Sequence, residues 1–362
     1  MNYYIHVPFC RSKCGYCAFY SEVCSNEQRF DLYLDKIISD MRTSSLPRAH
    51  TVYIGGGTPT LLESHQLERI LEAVHNYLAP LPECEISIES NPETLTSEKV
   101  HILKKHITRI SLGVQSFDAS LRKTLGRNCS DRALENSIEL IRQAGFDHFN
   151  CDLIYAVPGG SMKQWENDLD HVVSSGADHV SCYNLTCEEQ SRLGGTFVID
   201  DDMAKEMYDM AQKRLAVSGI ERYEISNYAL PGAECRHNMN IWKGEKLISF
   251  GPAAAGFDGV SRLINVEDID LWLAGEPPEQ DTLSSEARCR EIFAVNLRTV
   301  NGWKKSKWNT GDFSVSWDEM CKNFISAMES VPEEFYIIDE ETVRLTPEGL
   351  LYWNDIAERV IL

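Results

Sequence analysis

Short hydrophobic runs alternate with amphipathic stretches over roughly the first 230 residues of the chain. In one such stretch, Leu34, Ile37 and Met41 recur with helical spacing after a capping-box pattern that joins Ser25 to Gln28. Strands that alternate with helices are typical of βα units and a parallel sheet. The runs predict β-strands over residues 2–7, 51–56, 85–90, 109–114, 149–156, 179–185 and 222–226.

Six or seven βα units indicate an α/β fold with a full or partial barrel of the TIM type. After about residue 245 the pattern changes to a glycine-rich, loop-like stretch, and residues 276–287 are typical of a linker that ends in a helix start. The rest indicates helices, a hairpin that pairs Tyr336–Ile338 with Thr342–Leu345, and a last helix opened by Thr346 and Pro347. We expect a partial barrel over 1–245, an extension and linker over 246–283, and a small, mainly helical, winged-helix-like domain over 284–362.

The charge and the cysteines restrict the function. The net charge of −20 repels nucleic-acid phosphates and anionic membranes, so we expect no nucleic-acid partner, and membrane contact only through a protein partner. The chain shows no basic, apolar leader and no run of about 18 apolar residues, so we expect a cytoplasmic protein whose thiols are reduced. In that compartment, clustered cysteines indicate metal binding or catalysis.

Three cysteines follow the first predicted strand in the spacing CxxxCxxC. Thiolates at Cys10, Cys14 and Cys17 suit an iron–sulfur cluster, which usually takes four ligands. The same spacing is compatible with a zinc site in which Cys24 or His6 is the fourth ligand, or with three unligated, buried cysteines. A cluster whose fourth iron is left open to bind a small molecule is a further alternative. The spacing alone favours the cluster.

Other conspicuous segments also follow predicted strands, where the chemistry of barrel folds collects. Together with the cysteine loop they resemble the radical S-adenosylmethionine (SAM) superfamily and, within it, the coproporphyrinogen dehydrogenase-like subgroup, over about residues 2–260. In that family the open iron of a [4Fe-4S] cluster chelates the methionine part of SAM, and an electron from the cluster cleaves the sulfonium to give a deoxyadenosyl radical. The segments that carry the resemblance are YYIHVPFC, YIGGGTPTLL, ISIESNPETL, RISLGVQSFD, LGR, CDLIYAVPG and YEISNYALPGAECRHN.

The resemblance implies that nine residues bind SAM. Their types suit such a ligand: Glu89 can pair with the ammonium, Arg127 can hold the carboxylate with two hydrogen bonds, and Asp152 can accept from ribose hydroxyls. Each residue alone would be interpreted as a turn, a helix cap or a core position, and only their joint placement at strand ends favours a cofactor site. The nine are Tyr4, Tyr16, Gly56, Gly57, Thr58, Glu89, Gln115, Arg127 and Asp152.

The subgroup contains dehydrogenases, which convert coproporphyrinogen III to protoporphyrinogen IX, and chaperones, which bind haem and deliver it to target proteins. Three features favour a chaperone. The chain begins nine residues before Cys10, without the longer N-terminal segment of the dehydrogenases. Phe19 stands where the dehydrogenases have an extra cysteine. HNMNIW (237–242) resembles a haem-associated motif of the chaperones, although Ile241 replaces its tyrosine, and His237 is therefore the candidate axial ligand.

We therefore expect a radical SAM protein with one [4Fe-4S] cluster that binds haem as cargo and transfers it to an acceptor protein, with electrons from a donor. The alternative is an oxygen-independent coproporphyrinogen III oxidase, which decarboxylates the porphyrinogen by radical oxidation. Cys129 and Ala156 depart from the histidine and glycine that are usual at their positions near the cofactor pocket. Seven other cysteines have no metal spacing and are predicted to be small buried residues: Cys24, Cys84, Cys151, Cys182, Cys187, Cys289 and Cys321. Cys235, two residues before His237, is predicted to be a small buried residue too, with a thiolate ligand as the alternative.

Overall fold

Parallel strands form the centre of the fold, as the alternation of strands and helices predicts. The computed structural model describes residues 1–43, 46–186, 191–193 and 200–362. Its strands are β1 (Asn2–Val7), β2 (Phe9–Cys10), β3 (Glu22–Val23), β4 (Thr51–Gly56), β5 (Glu85–Ser90), β6 (Arg109–Gln115), β7 (His148–Tyr155), β8 (His179–Asn184), β9 (Glu221–Arg222), β10 (Asn227–Ala229), β11 (Leu247–Phe250), β12 (Ala255–Phe257), β13 (Ser261–Ile264), β14 (Glu279–Thr282), β15 (Trp303–Lys304), β16 (Tyr336–Ile338) and β17 (Thr342–Leu345).

Twelve of these strands belong to one sheet, in the order β14-β13-β12-β11-β1-β4-β5-β6-β7-β8-β10-β9. The seven neighbours from β11 to β8 are parallel, and the outer strands on both sides are antiparallel. Over the described ranges, β14 and β9 are the two edges of the sheet, so the barrel stays open. This confirms the predicted α/β class, with a partial barrel and an extended sheet.

Helices cover the outside of the sheet. In α1, the predicted apolar residues Leu34, Ile37 and Met41 are all buried. Its N-terminus differs from the prediction: Asn26, not Ser25, accepts the hydrogen bond from the backbone N–H of Gln28 (3.0 Å). No helix in the described part of the chain is long and apolar enough to span a membrane. The helices are α1 (Glu27–Thr43), α2 (Ser64–Ala73), α3 (Ser97–His106), α4 (Ala119–Thr124), α5 (Asp131–Ala144), α6 (Met162–Ser174), α7 (Asp201–Ala216), α8 (Arg236–Trp242), α9 (Ile269–Ala274), α10 (Ser285–Asn296), α11 (Lys305–Thr310), α12 (Trp317–Ala327), α13 (Pro347–Leu351) and α14 (Trp353–Ile361), with short 3₁₀ turns at Pro59–Leu61 and Glu333–Phe335 and a π turn at Val74–Leu78.

The two faces of the parallel sheet differ in chemistry, because side chains along a strand alternate between faces. Ile5, Val52 and Ile110 point to the helices and belong to the main hydrophobic core. The alternate residues point into the barrel and are mostly polar or aromatic. The interior of the barrel is therefore a hydrogen-bonding space, lined by residues that include Tyr4, Tyr53, Ser87, Ser111 and Asp152.

The strand predicted over residues 222–226 is wrong. β9 ends at Arg222 and β10 begins at Asn227, and the chain reverses between them, where the backbone N–H of Tyr223 donates to the carbonyl of Asn227 (3.1 Å). The reason is a buried charge at the corner. Glu224 is fully buried and caps the turn by accepting from the backbone N–H of Ser226 (2.8 Å), a local interaction that the hydrophobic pattern does not reveal.

The stretch predicted as loop and linker also differs from the structure, since it holds β11 to β14, which extend the sheet beyond β1. All four residues of β14, EQDT, are exposed, so this edge strand carries no alternation that could predict it. The domain limits 1–245, 246–283 and 284–362 stay predictions.

A second hydrophobic core lies in the C-terminal part of the chain, around Phe293, Trp308 and Phe324. The predicted hairpin is confirmed residue for residue as β16 and β17, and β15 pairs with β17 to make a three-stranded sheet. Thr346 caps α13 by accepting from the backbone N–H of Gly349 (3.2 Å), as predicted, but that helix is short and α14 follows it. Helices around a small antiparallel sheet are consistent with the winged-helix-like prediction.

The barrel and the C-terminal helices are joined at the corner between β9 and β10. Arg298, which follows α10, donates through its Nε to the buried carboxylate of Glu224 (2.9 Å). Beside this ion pair, the backbone N–H of Val300 donates to the carbonyl of Tyr223 (3.0 Å). Removing one partner of a buried ion pair leaves the other charge uncompensated and strongly destabilises the fold.

We expect Arg298→Met to lower the free energy of unfolding by about 3 kcal/mol, because it leaves the Glu224 carboxylate buried without its cation. Urea denaturation measures the effect, and Arg298→Lys, which keeps the charge, is the control and should lose less. A loss below about 1 kcal/mol for the methionine variant would show that the ion pair does not hold the two parts together.

Candidate cofactor site

The cysteine loop is fastened to the glycine-rich loop that follows β4. The backbone N–H of Gly57 donates to the carbonyl of Val7 (2.8 Å), and that of Thr58 donates to the carbonyl of Phe9 (2.7 Å). The Cys10 thiol and the Thr58 hydroxyl are 3.8 Å apart. Two segments that the sequence separates by about fifty residues are therefore held as one unit at the C-terminal end of the barrel.

Glycines 56 and 57 are required by this close approach. Gly56 has φ = +108°, and a Cβ there would lie 2.6 Å from the His6 ring. A Cβ at Gly57 would lie 2.6 Å from the Phe9 carbonyl oxygen. Both distances are too short for any other residue, so the glycines allow the loop to meet the cysteine segment and leave its backbone free to approach a ligand.

A chain of polar side chains crosses the mouth of the barrel from the cysteine loop. Asn91 donates to the Thr58 hydroxyl (2.7 Å) and accepts from Nη1 of Arg127 (2.7 Å). Nη2 of Arg127 lies 3.5 Å from the Tyr16 hydroxyl. The structure thus brings Thr58, Arg127 and Tyr16 together, and it adds Asn91. The signal that could have revealed Asn91 is its place directly after a strand and before a proline.

Arg127 has unused capacity to bind an anion. Its Nε is buried without a hydrogen-bond partner, and the hydrogen-bond partners of its other two nitrogens within the described ranges are Asn91 and Tyr16, which carry no charge. A buried guanidinium cannot lose its proton and keeps a strong demand for acceptors. These properties fit the carboxylate of an amino acid moiety such as that of SAM.

Two carboxylates lie inside the barrel below this chain. Glu89 accepts from the Tyr53 hydroxyl (2.9 Å) and from the backbone N–H of Gly56 (3.1 Å). Asp152 accepts from the Ser111 hydroxyl (3.0 Å) and the Asn150 amide (2.8 Å). Burial and the charge of Asp152 raise the pKa of Glu89 to about 7, and burial raises the pKa of Asp152. The pair therefore favours a cationic ligand, which the ammonium of SAM would be.

Gln115 and Ala156 have unusual backbone conformations at the ends of β6 and β7. Gln115 has φ = +68° beside a bulge in the β6–β7 pairing, and its side chain is buried. Buried Asp168 fixes the next turn by accepting from the Ser116 hydroxyl and the Phe117 N–H, each at 2.7 Å. Ala156 has φ = +57°, a left-handed conformation that explains why glycine is usual there and that costs alanine about 1 kcal/mol.

His6 supports the cysteine loop and is not a free ligand. Its Nε2 lies 2.9 Å from the carbonyl oxygen of Tyr20 and must donate to it, so Nδ1 accepts from the Tyr4 hydroxyl (3.1 Å). Both ring nitrogens are occupied, which argues against His6 as a fourth metal ligand. Tyr4 therefore acts through His6 on the cysteine loop, in addition to lining the barrel.

The three loop cysteines are near one another but are not gathered at metal-binding distances. Burial raises the pKa of Cys17, and the neighbouring thiols of Cys14 and Cys10 contribute to the rise. Over the residues that the structure describes, no group of three His, Cys, Asp or Glu side chains forms a ready metal site. The assignment of Cys10, Cys14 and Cys17 as cluster ligands thus depends on their chemistry and spacing.

His237 lies far from this loop, at the opposite end of the barrel. Its side chain is 1% exposed, and its Nδ1 is 2.9 Å from the Thr51 hydroxyl at the start of β4. Its Nε2 is buried without a partner, and burial lowers its pKa to about 3, so the ring is neutral. Because β4 rises about 3.3 Å per residue, Thr51 is about 16 Å from Gly56. The nitrogen has the chemistry of an axial ligand, but it is enclosed.

Comparison with known proteins agrees with the geometry. The radical SAM superfamily model matches residues 4–172, the span that contains the cysteine loop and all nine predicted SAM residues. The chain is 30% identical to the haem chaperone HemW of Lactococcus lactis over 99% of its own length and 97% of that protein, and 32% identical to HemW of Bacillus subtilis over 98% and 97%. This chain belongs to the HemW family of radical SAM proteins.

The fold of the family is shared with a related enzyme. The structure of coproporphyrinogen III oxidase (HemN) from Escherichia coli, itself a radical SAM enzyme, superposes with a TM-score of 0.83 over 99% of this chain and 89% of that one, at 18% identity. HemW and HemN thus have one architecture. Membership of the superfamily implies a [4Fe-4S] cluster and SAM. The hydrogen-bonded side chains at the barrel mouth, the unpartnered Arg127 Nε and the carboxylates of Glu89 and Asp152 fit SAM.

The remaining cysteines divide into two groups. Cys84, Cys151, Cys182, Cys235 and Cys289 are buried, as predicted for small apolar residues. Cys24 and Cys321 are partly exposed, so the prediction is wrong for them. Cys129, beside the pocket, is partly exposed as well, and Cys187 lies outside the described residues.

We expect SAM to bind more tightly as the pH rises from about 6 to 7.5, because Glu89, whose pKa is raised to about 7, must lose its proton to attract the ammonium. Isothermal titration of anaerobic, cluster-loaded protein measures the dissociation constant at each pH. Above this range the amino group of SAM itself loses its charge. Glu89→Gln should bind weakly at every pH, and a profile that stays as steep in this variant would assign the titration to another group.

Proposed function

We propose that this protein is a haem chaperone: it binds haem and transfers it to an acceptor protein. The observation that carries the proposal is the similarity to HemW proteins over the full length of the chain, including the C-terminal helices that the radical SAM match does not reach. An electron donor for the cluster and a haem-accepting protein are the partners that this function requires.

We assign Cys10, Cys14 and Cys17 as the cluster ligands and the nine residues around the barrel mouth as the SAM site. When bound, the cluster supplies electrons and an open iron for the methionine end of SAM. The residues of this chain hold and orient SAM: Arg127 faces its carboxylate, and Glu89 its ammonium. Gly57 and Thr58 close the pocket against the cysteine loop.

Cys14→Ser should prevent the assembly of a complete cluster, because one of three thiolate ligands is lost. Anaerobic reconstitution followed by iron analysis and the absorbance near 400 nm gives the result, with about four irons per chain expected for the unchanged protein. Cys321→Ser, in the C-terminal helices, is the matched control. A full cluster in the Cys14 variant would disprove the assignment.

A surface suited to haem lies on the outer side of the cysteine loop. Haem is a flat, mainly apolar ring with two carboxylates, and Phe19, Val23 and Leu271 are 73%, 63% and 49% exposed. Arg29 bridges Glu22 (3.0 Å) and Asp270 (2.9 Å), the residues just before Val23 and Leu271, so the two segments lie side by side.

Cations stand next to this apolar surface. Lys13 donates to the carbonyl of Phe19 (2.7 Å), and Arg11 is exposed on the same loop. In a chain of net charge −20, these groups are the natural partners of two propionates. We propose that haem is received here. His237 stays a prediction as an axial ligand. It lies at the opposite end of the barrel, so it could ligate iron only at a second position, after α8 had moved away from the barrel.

Haem titration of the anaerobic protein tests the function. We expect a saturable Soret change at one haem per chain, and Phe19→Asp should weaken the affinity at least tenfold, since burying a phenylalanine contributes about 1.5–3 kcal/mol. Val217→Asp, which changes another exposed apolar residue, at the C-terminal end of α7, is the control.

The titration also decides between the two activities of the family fold. No saturable haem binding would overturn the chaperone proposal. Release of CO₂ from coproporphyrinogen III, in the presence of SAM and a reductant, would then assign the alternative oxidase function. If His237→Ala abolishes the Soret change and Phe19→Asp does not weaken it, the haem site lies at α8 and not at the cysteine loop.

A further inference from the structure

The HNMNIW segment forms α8, which closes the N-terminal end of the barrel. The buried carboxylate of Glu85 on β5 accepts from the backbone N–H groups of Arg236 (3.1 Å) and His237 (3.0 Å), the first residues of this helix. At its other end, Asn240 donates to the side chain of Asn2 on β1 (2.9 Å). The motif is therefore bound to β5 and to β1 at the N-terminal end of the barrel, which we call the floor.

His237 extends from this floor into the barrel and contacts one aromatic ring. Its imidazole stacks on Tyr53, with ring centroids 5.2 Å apart and an angle of 30° between the planes. The bond between Nδ1 and Thr51, two residues before Tyr53, fixes the ring in this orientation. Tyr4 also stacks on Tyr53, with ring centroids 6.3 Å apart. Tyr53 thus contacts both a residue at the N-terminal end of the barrel and a residue of the SAM pocket.

Tyr53 links the stacked ring of His237 to the SAM pocket through hydrogen bonds. Its hydroxyl donates to Oε1 of Glu89, whose other oxygen accepts from the N–H of Gly56 in the glycine-rich loop. In the β4–β5 pairing, the residue beside Tyr53 is Ser87. The hydroxyl of Ser87 is buried and has no hydrogen-bond partner, so it forms no hydrogen bond with the Tyr53 hydroxyl. Ser87 therefore does not fix the phenol, and His237 and Tyr4 are the rings that do.

We propose that His237 is a positioning residue for SAM: through the ring of Tyr53 it holds the Glu89 carboxylate where the ammonium binds. The inference rests on the SAM site proposed above and gives the HNMNIW motif a role that does not need haem. If the imidazole leaves Tyr53, the phenol can turn away and Glu89 loses its donor. Haem binding at the outer side of the cysteine loop and SAM binding in the barrel are therefore measured separately.

A set of four variants tests the proposal in the full-length, cluster-loaded protein, with the SAM dissociation constant measured by anaerobic calorimetry. Tyr53→Phe, which removes only the hydroxyl, should weaken SAM about tenfold. His237→Leu, which removes the aromatic contact, should weaken it about fivefold. His237→Phe keeps a ring on Tyr53 and should stay within about twofold of the unchanged protein. Asn240→Ala, the control, loosens the same helix without touching Tyr53 and should also stay within about twofold.

The double variant shows whether the effect passes through Tyr53. In the Tyr53→Phe background, His237→Leu should add less than about twofold, because the hydroxyl that it positions is already gone. Independent, multiplying losses would overturn the proposal, as would unchanged affinity in His237→Leu or an equal loss in His237→Phe. A loss in Asn240→Ala as large as in His237→Leu would show that the helix acts only as general support.

The outcome is distinct from that of the proposed function. Haem titration of the same variants reports on cargo alone: a changed haem affinity in His237→Phe with unchanged SAM affinity would support His237 as the axial ligand and leave its positioning role intact. If the unchanged protein binds no SAM, the SAM site and this inference both fail, whereas haem binding can still stand.

Discussion

Two backbone hydrogen bonds hold the cofactor site together, from Gly57 to Val7 and from Thr58 to Phe9. They join the end of β1 to the loop after β4, and both loops take their geometry from this contact. Thr58 reaches Cys10 on one side and Asn91 on the other only because its backbone is fixed there. A side chain at residue 57 would break the contact, and one at residue 56 would collide with His6, so the arrangement depends on both glycines.

A polar interior distinguishes this barrel from one filled with aliphatic layers. Buried polar groups are costly unless they are hydrogen-bonded, and most of those inside the barrel are, as the partners of Glu89, Asp152 and Glu85 show. The exceptions lie where a ligand or a neighbouring helix approaches: Arg127 Nε at the mouth, and His237 Nε2 and Ser87 Oγ near the floor. The groups in the barrel that can still bind a ligand are therefore those that have no hydrogen-bond partner within the fold.

The parts of the structure that the sequence predicts are those formed by periodic burial of side chains. The parts that it does not predict depend on single contacts between residues distant in the sequence, or on exposed strands. Strands such as β1, β4 and β5 were predicted residue for residue, because their pattern reflects burial against helices. The turn at Glu224 and the exposed strand β14 were missed, since a buried ion pair and an unburied edge leave no periodic signal. The site residues came from motifs, but the roles of Asn91 and Tyr53 depend on contacts between distant strands.

The place of β1 in the sheet has a consequence for the order of events during synthesis. One neighbour of β1 is β4, but the other is β11, whose residue Leu247 pairs with Asn2. About 240 residues must emerge after β1 before that edge is covered, which takes roughly 12 to 48 s at ordinary rates of translation. Until then the strand that leads into the three cysteines has an open side. The sheet beside the cysteine segment therefore cannot be completed until β11 has been synthesised.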